Sequence, residues 1–283
     1  MLKRIKTTVL MLICYLLGTG CDSSNKDDAG TVKYKQGDYA GAVAEWLVLA
    51  NKGNFRAQYA LALMYDEGRG VKQDYTEAAK WYRLSAEQGK IEAQYNLGVI
   101  YKEGLGVKQD YAEAIKWYRQ AAEQGYSAAQ NNLAVMYESG EGVKQDYVEA
   151  AKWYRQAAEQ GLAAAQSNLG VMYDNGQGVK QDYLEAIKWY RLSAAQGDAL
   201  GQYNLGVAYM EGTGVNQDYA EAVNWYHQAA EQGFVSAQNN LGNMYEEGLG
   251  VEQNYAEALK WYKEAAKQGH SLAQSNFKRL SEN

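Results

Sequence analysis

Few residues in this chain have the type and spacing that chemistry needs. There are two histidines, His227 and His270. Neither has ligands at metal-site spacing or a nucleophile placed for a triad. Asp174, Asn175 and Asp182 offer oxygens of the kind calcium takes. Their spacing is not that of an EF-hand loop, and helix capping accounts for Asp182 better. Gly-x-Gly runs such as Gly104 to Gly106 suggest a phosphate cradle, but no Lys-Ser/Thr follows and no strand pattern precedes them. Adjacent aromatics such as Trp81 and Tyr82 could line a carbohydrate platform, yet their recurrence in identical form points to packing. No acid, base, nucleophile or metal set emerges, so the expectation is a non-enzyme without cofactor or metal, with an envelope hydrolase the weakest alternative.

What positions these residues is a repeat. Trp81, Trp117, Trp153, Trp189, Trp225 and Trp261 follow one another at intervals of 36 residues. Six full copies fit, at 54–89, 90–125, 126–161, 162–197, 198–233 and 234–269. Self-similarity at this period means stacked supersecondary units and not a closed globular domain. In the copy at 90–125, Ala93, Leu97, Ile100 and Tyr101 share one face of a helix. Position 9 is always small (Ala62, Gly98, Ala134, Gly170, Gly206, Gly242), which predicts close approach by a neighbouring helix. Gly104 stops the helix, because glycine accepts positive φ. Asp110 with Glu113 reads as a capping-box start for a second helix burying Tyr111, Ala114, Ile115, Tyr118 and Ala122. Neither helix hides its apolar face alone, so the copies must stack.

The ends depart from the pattern. Residues 31–53 read as a short opening unit in which Trp46 takes the core tyrosine slot and Glu45 the tryptophan slot. Residues 270–283 read as a closing helix, with Leu272, Ala273, Phe277 and Leu280 as its covering face and Lys278, Arg279, Ser281 and Glu282 as its polar side. At the other end, Lys3, Arg4 and Lys6 precede an apolar run from Val9 to Leu17, then Gly18, Thr19, Gly20 and Cys21. That run is too short to span a bilayer, and residues 1–20 have the layout of a signal peptide. Cys21 resembles the lipidated cysteine of a bacterial lipobox, with Gly18 departing from the usual leucine. Residues 21–30 suit a flexible tether. The mature chain then keeps a single cysteine and no disulfide framework. Loss of three cations takes the net charge from −6 to −9, which disfavours nucleic acid as a partner.

A partner surface is sought where the copies vary. Position 6 holds Tyr59, Tyr95, Asn131, Ser167, Tyr203 and Asn239. Position 10 holds Leu63, Val99, Val135, Val171, Val207 and Asn243; position 13 holds Asp66, Lys102, Glu138, Asp174, Met210 and Glu246. These lie on one side of the first helix, with Tyr59, Tyr95 and Tyr203 as the expected anchors. Position 7 is an asparagine ladder: Asn96, Asn132, Asn168, Asn204, Asn240 and Asn276. It can grip an extended peptide or satisfy neighbouring buried groups, and its near-constancy favours the second.

The run from Leu97, Gly98 and Tyr101 through Gly104, Gly106, Val107, Asp110, Tyr111, Ala114, Trp117, Tyr118, Ala121 and Ala122 to Gln124 and Gly125 resembles the Sel-one-like repeat family, a relative of the tetratricopeptide repeat. The resemblance recurs six times in register. It implies an all-α, right-handed α-solenoid of about seven stacked helix-turn-helix repeats. It also implies a scaffold that binds a protein or peptide in its concave groove, with no shared catalytic residues. Together with Cys21, the expectation is a lipid-anchored periplasm-facing scaffold of the bacterial envelope, or alternatively a surface-exposed or secreted host-interaction factor.

Overall fold

The computed structural model describes residues 27–282; the expected signal peptide and Cys21 lie outside them. Among the described residues there are fifteen α-helices and no strands. The described residues divide into two compact units, 27–88 and 89–282. The first holds α1 (Ala29–Lys35), α2 (Tyr39–Asn51), α3 (Phe55–Glu67) and α4 (Tyr75–Glu87). The second holds α5 (Ile91–Glu103), α6 (Tyr111–Glu123), α7 (Ser127–Ser139), α8 (Tyr147–Glu159), α9 (Ala163–Asn175) and α10 (Tyr183–Ala194). It continues with α11 (Ala199–Glu211), α12 (Tyr219–Glu231), α13 (Val235–Glu247), α14 (Tyr255–Lys267) and α15 (Ser271–Ser281). Within each unit every helix packs on the next in sequence, so hairpins pair first and then stack. This is an all-α solenoid architecture of repeated hairpins.

The local signals explain the boundaries. Gly68, Gly104, Gly140, Gly176, Gly212 and Gly248 each end a first helix in the left-handed region, with φ between 67° and 76°. The second glycine of the turn has a separate job. A Cβ on Gly178 would lie 2.0 Å from the Tyr147 carbonyl oxygen, and one on Gly250 2.3 Å from the same atom of Tyr219. The turn of one repeat thus sits directly on the start of the preceding second helix. The residue that opens the second helix is consequently less buried than expected: Tyr111 is half-buried, and Tyr183, Tyr219 and Tyr255 are exposed.

The capping box forms only by half. Asp110 Oδ1 accepts from the Glu113 amide at 3.0 Å, as the sequence suggests. Glu113 does not reach back, because the Asp110 amide already donates to the Tyr101 carbonyl at 3.0 Å. The glutamate instead accepts from Trp117 Nε1 at 3.2 Å and pairs with Lys116. The same amide-to-tyrosine bond recurs in every copy, from Asp74 to Asn254, and closes each hairpin turn.

The core is the tyrosine ladder. Tyr82, Tyr118, Tyr154, Tyr190, Tyr226 and Tyr262 are fully buried. Each ring of Tyr118, Tyr190, Tyr226 and Tyr262 lies against the small position of its own first helix. A Cβ on Gly98 or Gly206 would come within 2.6 Å of it. The close approach expected of a neighbouring helix is therefore made by a ring. Trp81, Trp117 and Trp261 are buried, but Trp153, Trp189 and Trp225 are half-exposed under lysine or neighbouring side chains. A glutamine ladder, not anticipated from sequence, runs beside them. Gln130 donates to the Ala122 carbonyl at 3.1 Å and accepts from Gln160 at 2.7 Å. The repeats at 162 and 234 do likewise through Gln166 and Gln238. It adds a second donor to a carbonyl at the end of the second helix at Ala122, Ala158 and Ala230.

At the ends, Trp46 fills the core slot of the opening unit against Gly30, and Glu45 pairs with Lys33 at 2.8 Å. α1 starts at Ala29, inside the expected tether, because Asp28 caps it and also accepts from Trp46 Nε1 at 3.1 Å. In the closing helix Ala273 is buried and Phe277 and Leu280 pack on the last hairpin, but Leu272 is 65% exposed. Leu272 faces away because Ala273 takes the inward position. Arg279, expected on the polar outer side, instead makes an ion pair with Glu246 at 2.6 Å.

Candidate functional site

The variable side of the first helices is more occupied by its own chain than its sequence suggests. Tyr59 is buried at 8% exposure, with its ring 5.9 Å from that of Tyr82. Tyr95 and Tyr203 are half-buried and stand at the same distance from Tyr118 and Tyr226. Each also meets the first residue of the following copy: Tyr95 with Tyr126 at 5.2 Å, Tyr203 with Phe234 at 4.9 Å. Burial, then the neighbouring Tyr95 and Glu92, push the Tyr126 phenol up to about 12. These tyrosines are inter-repeat packing first, and only their edges reach the surface. Ser167 and Asn239 are buried outright, so neither is a free anchor.

The asparagine ladder joins the repeats. Asn132 stands beside the phenols of Tyr95 and Tyr118, and Asn240 beside those of Tyr203 and Tyr226, the Tyr226 hydroxyl itself donating to Met210 Sδ at 3.5 Å. Where position 6 is Asn131, Asn168 donates to it at 3.3 Å. Asn276 donates to Asn243 at 3.4 Å, and Tyr262 also donates to Asn243 at 2.6 Å. Asn96 and Asn131 remain half-exposed. Two groups are left over: Asn204 Nδ2 and Asn239 Oδ1 are buried and have no partner.

Position 13 has a role that was not read from sequence. Its carboxylates accept from the core tyrosines: Tyr82 to Asp66 at 3.1 Å, Tyr154 to Glu138 at 2.6 Å, Tyr190 to Asp174 at 3.3 Å and Tyr262 to Glu246 at 2.7 Å. The signal was available, since acidic residues recur 16 positions before a buried tyrosine that needs an acceptor. What stays on this face is the half-exposed valine row Val99, Val135, Val171 and Val207, with acidic residues at the helix ends.

Neither histidine joins a reactive set. His227 lies edge-on to Trp261 and near Glu231, and His270 caps α15 through Nδ1. Among the described residues no group of three or more His, Cys, Asp or Glu is placed to hold a metal ion. Among them, too, no helix is long and apolar enough to cross a membrane.

These hairpins define a helical-repeat scaffold. The Sel1 repeat profile matches residues 55–90, 91–126, 127–162, 163–198, 199–234 and 235–270. The chain belongs to the Sel1 repeat family, whose members are typically non-catalytic scaffolds, commonly of protein–protein interaction. It is similar to a protective antigen present in uropathogenic Escherichia coli strains, with 42% identity and a TM-score of 0.78, covering 88% of this chain and 54% of that one. It thus spans about half the length of that relative. It is also similar to a Sel1 repeat protein from Oxalobacter formigenes, with 36% identity and a TM-score of 0.78, covering 85% of this chain and 97% of that one. No curated protein matches the chain significantly.

Proposed function

We propose that this chain is an exported, lipid-anchored scaffold of the bacterial envelope, facing the periplasm and holding a protein or peptide along the groove lined by its first helices. It does so without catalysis, nucleic acid or cofactor. One observation carries the binding face. Most constant positions of the repeat are consumed by its own packing, whereas position 10 stays half-exposed in all six copies, with Val171 and Val207 also packing on the core. A surface maintained only for solubility has no need of a half-exposed valine on four successive first helices. The anchor reading rests on Lys3, Arg4, Lys6, the apolar run to Leu17, and Cys21.

Photo-crosslinkers placed at Val135 and Val171 in cells test the groove. Protein adducts at these sites, and none from Glu123 on a second helix, are expected. Equal labelling from both sides sinks the groove assignment. Acyl labelling of the parent chain, lost in Cys21→Ser, tests the anchor.

A second reading is display at the cell surface as a host-interaction factor. The similarity to a protective antigen favours it. Protease treatment of intact cells separates the two: cleavage supports display, and full protection supports the periplasmic scaffold.

A further inference from the structure

The opening unit is covered differently from the six copies that follow it. Its second helix, α2, carries one charged residue, Glu45, and that residue is paired with Lys33. In the copy at 90 the slots of Ala44, Leu47 and Val48 hold Lys116, Arg119 and Gln120. Leu47 and Val48 are exposed all the same, and so is Leu84, which holds the Val48 slot in α4. The next residue along α2 is also uncovered. Its slot holds Ser85, Ala121, Ala157, Ser193, Ala229 and Ala265 in the six copies, all at 0% exposure. In the opening unit it holds Leu49, which is half-exposed. Helix length is the cause. Ser85 donates to the Phe55 carbonyl at 2.7 Å, so this slot lies under the first residue of its own first helix. Gly30 meets Trp46 as Gly98 meets Tyr118, yet Gly30 is the second residue of α1 and Gly98 the eighth of α5. α1 therefore begins too late in register to cover Leu49.

Whatever lies on Leu47, Val48 and Leu49 must be apolar. The preceding chain does not qualify, since Asp22, Ser23, Ser24, Asn25 and Lys26 are all polar. A second copy does not qualify either, because a few aliphatic side chains fall far short of the roughly 800 Å² per partner that a stable dimer buries. The exit of the chain supplies the occupant. Asp28 caps α1 and accepts from Trp46 Nε1 at 3.1 Å, so the chain leaves the fold next to Leu47. The stretch from Cys21 to Asp28 reaches at most about 25 Å when fully extended. An acyl anchor on Cys21 thus holds α2 close to a lipid surface. The charges agree with that placement. Residues 27–88 carry eight cations against nine acids, and residues 89–282 sixteen against twenty-four. An anionic leaflet repels the second unit strongly and the first hardly at all. Lys52 and Arg56, exposed just after α2, supply cations for lipid phosphates at the edge of the apolar run.

We propose that Leu47, Val48 and Leu49 of α2, together with Leu84 at the matching slot of α4, form a membrane-contact face that seats the opening unit on the lipid surface. This rests on the anchored-scaffold reading above. So small an apolar area does not hold a protein at a membrane alone, because interfacial binding scales with the apolar area buried. Beside an anchor it has another use. The anchor supplies attachment, and the aliphatic run sets which side of the opening unit turns to the bilayer. An α2 almost without charge enters the interface with little polar surface to desolvate.

The test places a photo-crosslinking amino acid at Val48 or at Leu192 in the full chain, expressed in bacterial cells. Leu192 holds the Val48 slot in α10 at a similar exposure, 45% against 54%. Phospholipid adducts are expected from Val48, at least fivefold above those from Leu192. With the crosslinker at Leu84, the double variant Leu47→Gln, Val48→Gln is expected to cut lipid adducts at least threefold. Val48→Gln alone should cut them less, in the same direction. Circular dichroism should show the helical content of the parent in both variants. Equal lipid labelling at Val48 and Leu192 overturns the proposal, as do adducts to protein or to a second copy in place of lipid at Val48. Acyl labelling of the same samples reports on the anchor separately. Label on the chain without lipid adducts at Val48 removes the contact face and leaves the anchor. Lipid adducts at Val48 without label remove the anchor and leave the contact face. Absence of both removes both.

Discussion

Two adjacent joints of the second unit differ, among other positions, at position 6 and at the first residue of the following copy. At the joint between α11 and α13, Tyr203 packs against Tyr226 and Phe234, and the Tyr226 hydroxyl donates to Met210 Sδ at 3.5 Å. At the joint between α9 and α11, Ser167 and Asp198 stand in place of Tyr203 and Phe234. Asp198 caps α11 by accepting from Gly201, and Asn204 is left with an unpartnered amide beside a cavity. The backbones are the same hairpin. The comparison teaches that the same hairpins can close a joint with stacked aromatic rings or leave a small cavity in it.

The largest expected effect lies in the part the joints share. Tyr226→Ala should cost about 3–5 kcal/mol, because it empties a fully buried aromatic site. Tyr190→Ala, beside an existing cavity, should fall at the lower end of that range. Urea unfolding measures both, and equal costs would mean that the cavity does not loosen the open joint. Next come the asparagines. Asn240→Ala should cost up to about 1 kcal/mol, because the Tyr226 phenol keeps Met210 Sδ as its acceptor and Tyr203 is only half-buried, whereas Asn204→Ala should be close to neutral. A penalty at Asn204 equal to that at Asn240 would show that it is bonded after all. Ser167→Tyr transplants the lock. It should raise stability by roughly 1 kcal/mol by filling the space beside Asn204 with an aromatic ring, as Tyr203 does at the other joint.

The smallest effect is in pH dependence, and it has opposite signs at two copies of one slot. Asp174 and Glu246 both occupy position 13 and both accept from a core tyrosine. Burial, with Glu211 adding, raises Asp174; bonding to Arg279, opposed by burial, lowers Glu246. A raised carboxyl favours the fold when protonated, so its contribution declines as pH rises through its own titration. A lowered one contributes above the ordinary carboxylate range and is lost as pH falls through its folded value. Melting curves over about pH 3 to 7 should therefore change in opposite directions in Asp174→Asn and Glu246→Gln. Changes of the same sign would undo the contrast.

Much of the fold could be read directly. The interval between tryptophans, the capping Asp110 and the stop at Gly104 all report short-range physics that repeats six times. The candidate face was read less well. Tyr59 and Asn239 looked like exposed anchors because helical periodicity assigns a side of one helix, and does not say what the next helix lays over it. The unused arm of the capping box was invisible for a similar reason. The Tyr101 carbonyl that displaces Glu113 comes from across the turn.

The sequence by itself determined that hairpins of two helices recur, where each begins and ends, and that no reactive constellation accompanies them, because propensity, capping and periodicity act within a few residues. Only the tertiary structure decided which constant residues are locks and which joint is left unlocked. The phenols beside Asn132 and Asn240 belong to the preceding repeat, and so does Ser167, which stands where Tyr95 and Tyr203 stand at those joints. A missing neighbour across a joint leaves no mark in the local pattern of either helix.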